Sequence, residues 1–391
     1  MSVFSRMARK PDLGASRIRT WICSTQKIMN NPNIASPTPP SQSPVVSGLW
    51  SHPAVIAPTH FKNKSLSGWS FNTAIGCGHG CRFCYVPSVS TVKMAPQLAP
   101  LGVADPDADW GNYVFLRPWD ETAFLKSLRH ADTVSKRDSA SGSTQAVMFS
   151  STTDPYQVIR NPDMTKTREL TKANLAMVAK ALELIRDRSK LNVRILTRSP
   201  LARIHFDLFR SFGPRLLFGM SIPTLRNDLA DIYEPKAPAP TQRLETLQKA
   251  KEQGLHVYVA MAPTYPECDR ADIRATMQAA AALKPLTIYH EPINIRAENV
   301  ARIAASAAAK GVTLDTSVFA SKKAWSEYAL RSFQEVIDAA REFGVTSQLH
   351  LWPDRSLGDP EIVNARSKPA EYRAWLDDRW NRESKWPVVA P

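Results

Sequence analysis

Three of the chain's five cysteines stand within eight residues, as Cys77, Cys81 and Cys84 in Gly76-Cys77-Gly78-His79-Gly80-Cys81-Arg82-Phe83-Cys84-Tyr85. Thiols crowded into so short a loop in a C-x3-C-x2-C pattern imply a metal or iron–sulfur site. Three thiolates are one ligand short of a closed zinc or iron–sulfur site, so the fourth position is filled from elsewhere or stays open to a small molecule. An open position is where chemistry can occur. Glycines at 76, 78 and 80 alternate with the ligands and let a tight loop turn several sulfurs inward without Cβ clashes. A zinc site completed by His79 would use the same segment, but a histidine between two ligands of such a loop is poorly placed to close a tetrahedron. A cluster serving only electron transfer or structure is the third reading.

With 391 residues, 43% apolar and 22% charged, the chain can bury a sizeable core, as one barrel with extensions or as two or three domains. No stretch approaches the roughly 20 apolar residues that span a bilayer, and no membrane partner is expected. Cysteines gathered in a thiolate motif suit a reducing compartment, so a soluble, cytoplasmic protein is expected. The formal charge of +14 is unevenly spread. Residues 1–70 carry 8 Lys/Arg against 1 acid and residues 140–226 carry 14 against 6, surpluses of +7 and +8. The second surplus follows the cysteine loop and either forms a patch for the phosphates of a nucleic acid or is ordinary solvated helix surface.

Residues 1–50, ending near Pro37-Thr38-Pro39-Pro40, read as a disordered basic leader. Their Arg- and Ser-rich start faintly resembles a transit peptide and Met29 is an alternative start, though the untargeted reading is preferred. Cys23 is expected there as a free thiol without a role. Residues 65–295 alternate short apolar runs with helical patterns. Strands are expected at Phe71 to Ile75, Val147 to Ser150, Val193 to Leu196, Leu216 to Met220, Val257 to Ala260 and Leu286 to Tyr289. Leu170, Asn174, Met177, Val178, Ala181, Leu182 and Ile185 recur at helical spacing, as do Leu244, Leu247 and Ala250. Such alternation favours parallel strands with right-handed crossovers, an α/β barrel or part of one, whose site sits at the strands' C-terminal ends. Residues 296–391 read as a helix-rich extension. Its Trp352, Trp375, Trp380 and Trp386 are expected to pin a terminal helix onto the barrel rather than to stack bases.

Polar runs follow the expected strands: Ser150-Ser151-Thr152-Thr153-Asp154-Pro155-Tyr156-Gln157, Thr197-Arg198-Ser199-Pro200 and Ser221-Ile222-Pro223-Thr224. Singly these are helix-start or turn signals. Together with the cysteine loop and with Glu234-Pro235-Lys236-Ala237-Pro238 and Arg243-Leu244, the sequence over about residues 70–265 resembles the spore photoproduct lyase-like (DNA repair photolyase-like) branch of the radical S-adenosylmethionine (SAM) superfamily. The resemblance implies a partial (β/α)6 barrel and a 4Fe-4S cluster on Cys77, Cys81 and Cys84. It implies reductive cleavage of SAM to a 5′-deoxyadenosyl radical that abstracts hydrogen, with an electron donor such as a flavodoxin or ferredoxin.

By the same resemblance Tyr85 would lie against the cluster loop and Asp154 near SAM or substrate. Arg198 would meet the SAM carboxylate, Ser221 would bond its ribose, and Glu234 and Arg243 would form a pair. The sequence departs from the family in two places. Spore photoproduct lyases use a cysteine beyond the cluster loop as hydrogen donor, whereas none occurs here between Cys84 and Cys268, which argues against thymine-dimer repair. The turn after the fifth strand has also changed, and Cys268 within it is either a substrate-facing thiol or an inert one. His290 and Glu291 follow the sixth strand as candidates for proton transfer or substrate contact. The substrate, the fate of SAM and the oligomeric state are not encoded legibly. A non-enzymatic metal-binding protein that binds nucleic acid is the reading from another class.

Overall fold

The computed structural model describes residues 44–387 apart from 60, 62–63, 138–141, 150 and 296–297. The leader up to residue 43, Cys23 and Ser150 lie outside the described residues. Among the described residues there are eleven strands: β1 (Val46–Leu49), β2 (Ile56–Pro58), β3 (Trp69–Phe71), β4 (Ala74–Gly76), β5 (Tyr113–Leu116), β6 (Ala146–Phe149), β7 (Asn192–Thr197), β8 (Leu216–Ser221), β9 (Val257–Thr264), β10 (Ile288–Pro292) and β11 (Leu349–Leu351). Seven of them, in the order β3-β6-β7-β8-β9-β10-β11, pair in parallel, with β2 antiparallel on the outer edge of β3. Sheet order follows chain order because each crossover returns the chain to the neighbouring position. The expected partial barrel is therefore present, with one strand more than expected.

The additional strand is β11, which pairs Leu349 with Ile288 and Leu351 with His290. The segment beyond residue 295 is thus part of the barrel wall as well as a helical extension. The first expected strand is broken in two. After Phe71 the chain leaves the barrel, and Ala74–Gly76 pairs antiparallel with β5, itself parallel to β1, in a separate three-stranded sheet. The strand β1 falls inside the segment read as leader. Asn72 ties the break to the neighbouring strand end: its amide donates to Ser151 Oγ at 2.7 Å and its carbonyl oxygen accepts from Thr152 N at 2.9 Å. The cysteine loop leaves from the end of β4.

The helix Met164–Arg188 starts on Asp163, whose side chain accepts from Thr165 N, and buries Asn174, Met177, Val178, Ala181, Leu182 and Ile185 along one stripe. That periodicity leaves one face for the barrel, and each large apolar side chain moved out of water contributes about 1.5–3 kcal/mol. Lys322–Glu342, capped by Ser321, buries Trp325, Tyr328, Phe333 and Val336. The C-terminal tryptophans serve packing. Trp380 Nε1 donates to Pro353 O at 2.8 Å, Trp386 Nε1 donates to Pro214 O at 3.0 Å, and Trp375 lies edge-on to Phe333. Among the described residues no helix is long and apolar enough to cross a membrane.

Candidate functional site

A cavity of about 400 Å³ opens at the C-terminal ends of the barrel strands, where such folds place their sites. Cys77, Cys81 and Cys84 all line it, with Tyr85, Asp154, Arg198, Ser221, Lys64, Glu291 and Trp352 elsewhere on the wall. None of the three cysteines is in a disulfide.

The loop's shape depends on its glycines. Gly76 has φ +85°, and a Cβ there would lie 2.2 Å from Tyr113 O, so no other residue fits. Backbone hydrogen bonds of the loop are collected by the segment after β6. Thr153 Oγ1 donates to Gly76 O at 2.6 Å, and Gln157, fully buried, accepts from Gly78 N at 2.5 Å while donating to Thr153 at 2.6 Å. Asp154 completes the clamp. It accepts from Thr197 Oγ1 at 2.7 Å and from the amides of Tyr156 and Arg198 at 2.8 Å, and His79 Nε2 lies 3.2 Å away. Burial pushes the Asp154 carboxyl up, but His79, Thr197 and the Arg198 amide outweigh it and hold the group below its ordinary value. With its oxygens engaged on all sides, Asp154 fixes His79 and the end of β7. His79 turns toward this carboxylate, which does not favour the zinc reading.

The Thr153-to-Gln157 motif is therefore a support for the cysteine loop. Gln157→Leu removes the acceptor for the buried Gly78 amide, a loss of about 1–3 kcal/mol. The expected outcome is a folded barrel with reduced iron content after reconstitution, read by circular dichroism and iron analysis. Full iron loading would contradict the assignment.

The three thiols share one electrostatic situation. Burial pushes each up to about 12; Asp154 adds to the effect at Cys77, while Arg198 opposes it at Cys81. Thiolates here require a bound cation, as iron would supply. Among the described residues no three His, Cys, Asp or Glu side chains converge as ligands of a single ion would. A 4Fe-4S cluster asks for something else: each cysteine takes a different iron, so the thiols stand apart around it. Three free thiols on one cavity wall fit that group.

Arg198 lines the cavity with its guanidinium 5.5 Å from the Phe83 ring centroid. Its Nε donates to Glu234, whose other oxygen takes Arg243 Nη1 at 2.6 Å. Glu234 and Arg243 have fully buried side chains, and Arg243 also donates to Ser221 O at 3.1 Å. Ser221 ends β8 on the cavity wall. Tyr85 donates to Ser151 O at 3.0 Å and holds the end of the loop to the turn after β6.

Two expected site residues are placed elsewhere. His290 points away from the cavity, its Nε2 3.3 Å from Ser332 Oγ, because neighbours on a strand face opposite sides. The cavity side belongs to Glu291, whose carboxylate is 2.5 Å from Lys64 Nζ. Cys268 is buried in the apolar core away from the cavity, and burial raises its thiol further, with Asp272 adding to the shift. A substrate-facing role for either residue is not supported by this placement.

Burial lowers His290 to about 3. The unfolded chain binds this proton near pH 6.5 and the folded one does not, so stability falls as pH drops from about 6.5 toward 3, by up to about 1.4 kcal/mol per pH unit from this group. Urea midpoints of the protein and of His290→Gln at pH 7 and pH 5 are expected to show the smaller acid loss in the variant; equal losses would contradict it.

Sequence reasoning missed the residues that hold the loop from the C-terminal region. On the helix Asn299–Ala308, Arg302 donates to Arg82 O at 3.1 Å and Cys84 O at 2.5 Å and pairs with Asp107, while Asn299 reaches Phe83 O at 3.4 Å. Only an arginine amid an alanine run signalled this. Trp352 is no open stacking platform: one neighbour is Tyr289, stacked at 4.5 Å, and the Lys64 ammonium lies 4.9 Å from the ring centroid. The basic surplus of residues 140–226 is partly neutralised, since Arg186, Arg198, Arg203 and Arg210 meet Asp187, Glu234, Glu245 and Asp207. Arg194 is interior and Arg215 donates to backbone carbonyls.

A parallel partial barrel with a three-cysteine loop at its C-terminal mouth places this chain among α/β proteins whose site lies at the strand ends. The model of the radical SAM superfamily matches residues 71–280, and the chain belongs to that superfamily. Over 243 residues it is 33% identical to an uncharacterized protein, ORF301, of Acidianus two-tailed virus, covering 61% of this chain and 71% of that one. A spore photoproduct lyase variant covers 78% of this chain and 80% of its own, at 12% identity and TM-score 0.53. Another, with bound AdoMet and dinucleoside spore photoproduct, covers 85% and 93% at 13% identity and TM-score 0.53. At such identities the likeness is one of fold.

Proposed function

We propose that this chain is a radical SAM enzyme in which Cys77, Cys81 and Cys84 hold a 4Fe-4S cluster and SAM takes the remaining iron. The observation that carries this reading is the cysteine loop itself: three free thiols face one cavity at the strand ends, on a loop whose backbone polar groups are held by Thr153, Gln157 and Arg302 and whose His79 side chain meets Asp154. When bound, the cluster and SAM supply a 5′-deoxyadenosyl radical for hydrogen abstraction.

The chain's residues provide binding, orientation and exclusion of water. Arg198, with one edge on Glu234, is assigned to the SAM carboxylate, and Ser221 to its ribose. Charge pairing favours the arginine as the stronger contact. Tyr85 keeps the loop end closed against the Ser151 turn. The wall formed by Leu66, Met148, Leu196, Ala260, Glu291 and Trp352 is assigned to the substrate. Apart from the three loop thiols, no cysteine among the described residues lines the cavity, which supports a reaction other than thiol-dependent dimer repair. Nucleic acid as substrate rests on the resemblance.

Adding SAM to the reduced, cluster-loaded protein is expected to change the electron paramagnetic resonance spectrum of the cluster. An unchanged spectrum with SAM in excess would favour the non-enzymatic, metal-binding reading.

A further inference from the structure

Trp110 lines the cavity, is 2% exposed, and carries a buried indole N–H that finds no acceptor among the described residues. Five other tryptophans show how this chain otherwise treats an indole. Trp69 donates to Ser135 Oγ, Trp325 to Ile293 O, Trp352 to Lys64 O, Trp380 to Pro353 O and Trp386 to Pro214 O, all at 2.8–3.0 Å. A buried donor without a partner is costly and rare in a folded protein, so the Trp110 N–H implies an acceptor that the protein chain itself does not supply.

The turn that carries Trp110 is pressed onto the cysteine loop. Arg82, between Cys81 and Cys84, donates Nη1 to Trp110 O at 3.2 Å, and Trp110 N donates to Asp107 O at 3.2 Å, so both backbone groups of the residue are engaged. A Cβ built on Gly80 would lie 2.9 Å from Gly111 Cα and 3.5 Å from Trp110 O. The indole belongs to an apolar cluster with Ile75, Val86, Leu98 and Tyr113, against which Cys77 and Cys84 pack. Tyr113 meets it edge-on at 5.8 Å, with its hydroxyl turned to Thr91 Oγ1 and Pro106 O. The cysteine sulfurs are therefore the acceptors this setting offers. A thiol sulfur accepts only weakly, whereas an anionic acceptor roughly doubles the strength of a hydrogen bond.

We propose that the Trp110 indole N–H donates a hydrogen bond to a sulfur of the 4Fe-4S centre, either an inorganic sulfide or the thiolate of Cys77 or Cys84, and thereby raises its reduction potential. The inference rests on the cluster assignment above and adds a residue that tunes that centre. One-electron reduction adds a negative charge that the sulfurs share, so a donor placed there stabilises the reduced form more than the oxidised one. The apolar surroundings keep water from competing for the bond.

Trp110→Phe keeps an aromatic ring and the local charge while removing the N–H. After anaerobic reconstitution the variant is expected to hold the same iron and sulfide as the parent and to give the same far-ultraviolet circular dichroism. Its equilibrium constant for one-electron reduction should fall about tenfold, a shift of about 59 mV toward more negative potential in a dithionite titration followed by electron paramagnetic resonance. A packing role alone predicts no such shift, and water admitted to the cluster would move the potential the other way. The parent supplies a second readout. With tryptophan labelled with nitrogen-15 at the indole nitrogen, pulsed electron paramagnetic resonance of the reduced parent should show a coupling to that nucleus, and the labelled variant should lack it. An unchanged potential in a fully loaded variant, or no coupling in a fully loaded parent, would overturn the inference while leaving the cluster assignment intact. Should the variant fail to fold or to load, the coupling in the parent decides. A parent that takes up no iron and sulfide would overturn the proposed function and this inference together.

Discussion

Cys81→Ala is expected to leave a folded protein that binds no iron–sulfur cluster. Cys81 is buried, and burial raises its thiol in spite of Arg198. Truncating it removes one of three anchors that the chain offers, and two thiolates do not hold a 4Fe-4S centre that already relies on SAM for its fourth iron. The barrel core does not depend on this side chain, so the loss should be confined to the loop. Anaerobic reconstitution followed by iron and sulfide analysis should give a brown wild-type protein and a colourless variant with the same far-ultraviolet circular dichroism. Cys268→Ala, altering a thiol in the apolar core, should retain the colour. A fully loaded Cys81→Ala protein would contradict the assignment of the loop.

Glu234→Ala is expected to have the largest effect on stability. The carboxylate lies between Arg198 and Arg243, and its removal leaves two guanidinium groups in a buried environment without their counter-charge. Breaking a buried ionic unit from one side costs about 3–5 kcal/mol, because the unpaired charges keep their desolvation penalty. Arg243 also supports Pro238 O and Ser221 O, so the end of β8 should loosen with it. Burial raises the Glu234 carboxyl, but the two arginines outweigh it and hold the group below its ordinary value. Its contribution is therefore fully present above the ordinary carboxylate range and is lost as pH falls through the depressed folded value. A urea midpoint unchanged from wild type would contradict this account. Replacing all three residues with apolar ones of similar size should recover much of the stability without restoring SAM binding.

Much of the barrel could be read from the sequence because its strands are short apolar runs separated by capped helices with clear 3.6-residue spacing, as in Met164–Arg188. The cysteine loop and the segment Thr153 to Gln157 were legible as motifs, but not as a clamp. That relation rests on contacts nearly eighty residues apart, such as Gln157 to Gly78, which no local pattern encodes. β11 was missed because Leu349-His350-Leu351 is too short to show strand alternation, and it is a strand only because β10 offers it an edge. The break after Phe71 was missed because Phe71 and Ile75 are both buried, in different sheets. At the end of β10 the question was which of two adjacent residues faces inward. The sequence names both His290 and Glu291, and only the folded strand end, where Glu291 and not His290 lines the cavity, separates them. Arg302 was invisible as a loop support because its partners are backbone carbonyls and Asp107, about two hundred residues earlier.

The central claim, that the three loop thiols support radical SAM chemistry, is tested most directly by reducing the anaerobically reconstituted protein and measuring 5′-deoxyadenosine formed from SAM. The same measurement is made on Cys77→Ala/Cys81→Ala/Cys84→Ala. Product from the wild type and none from the variant is the expected result; no product from a fully loaded, reduced wild type, or equal product from both, would contradict it.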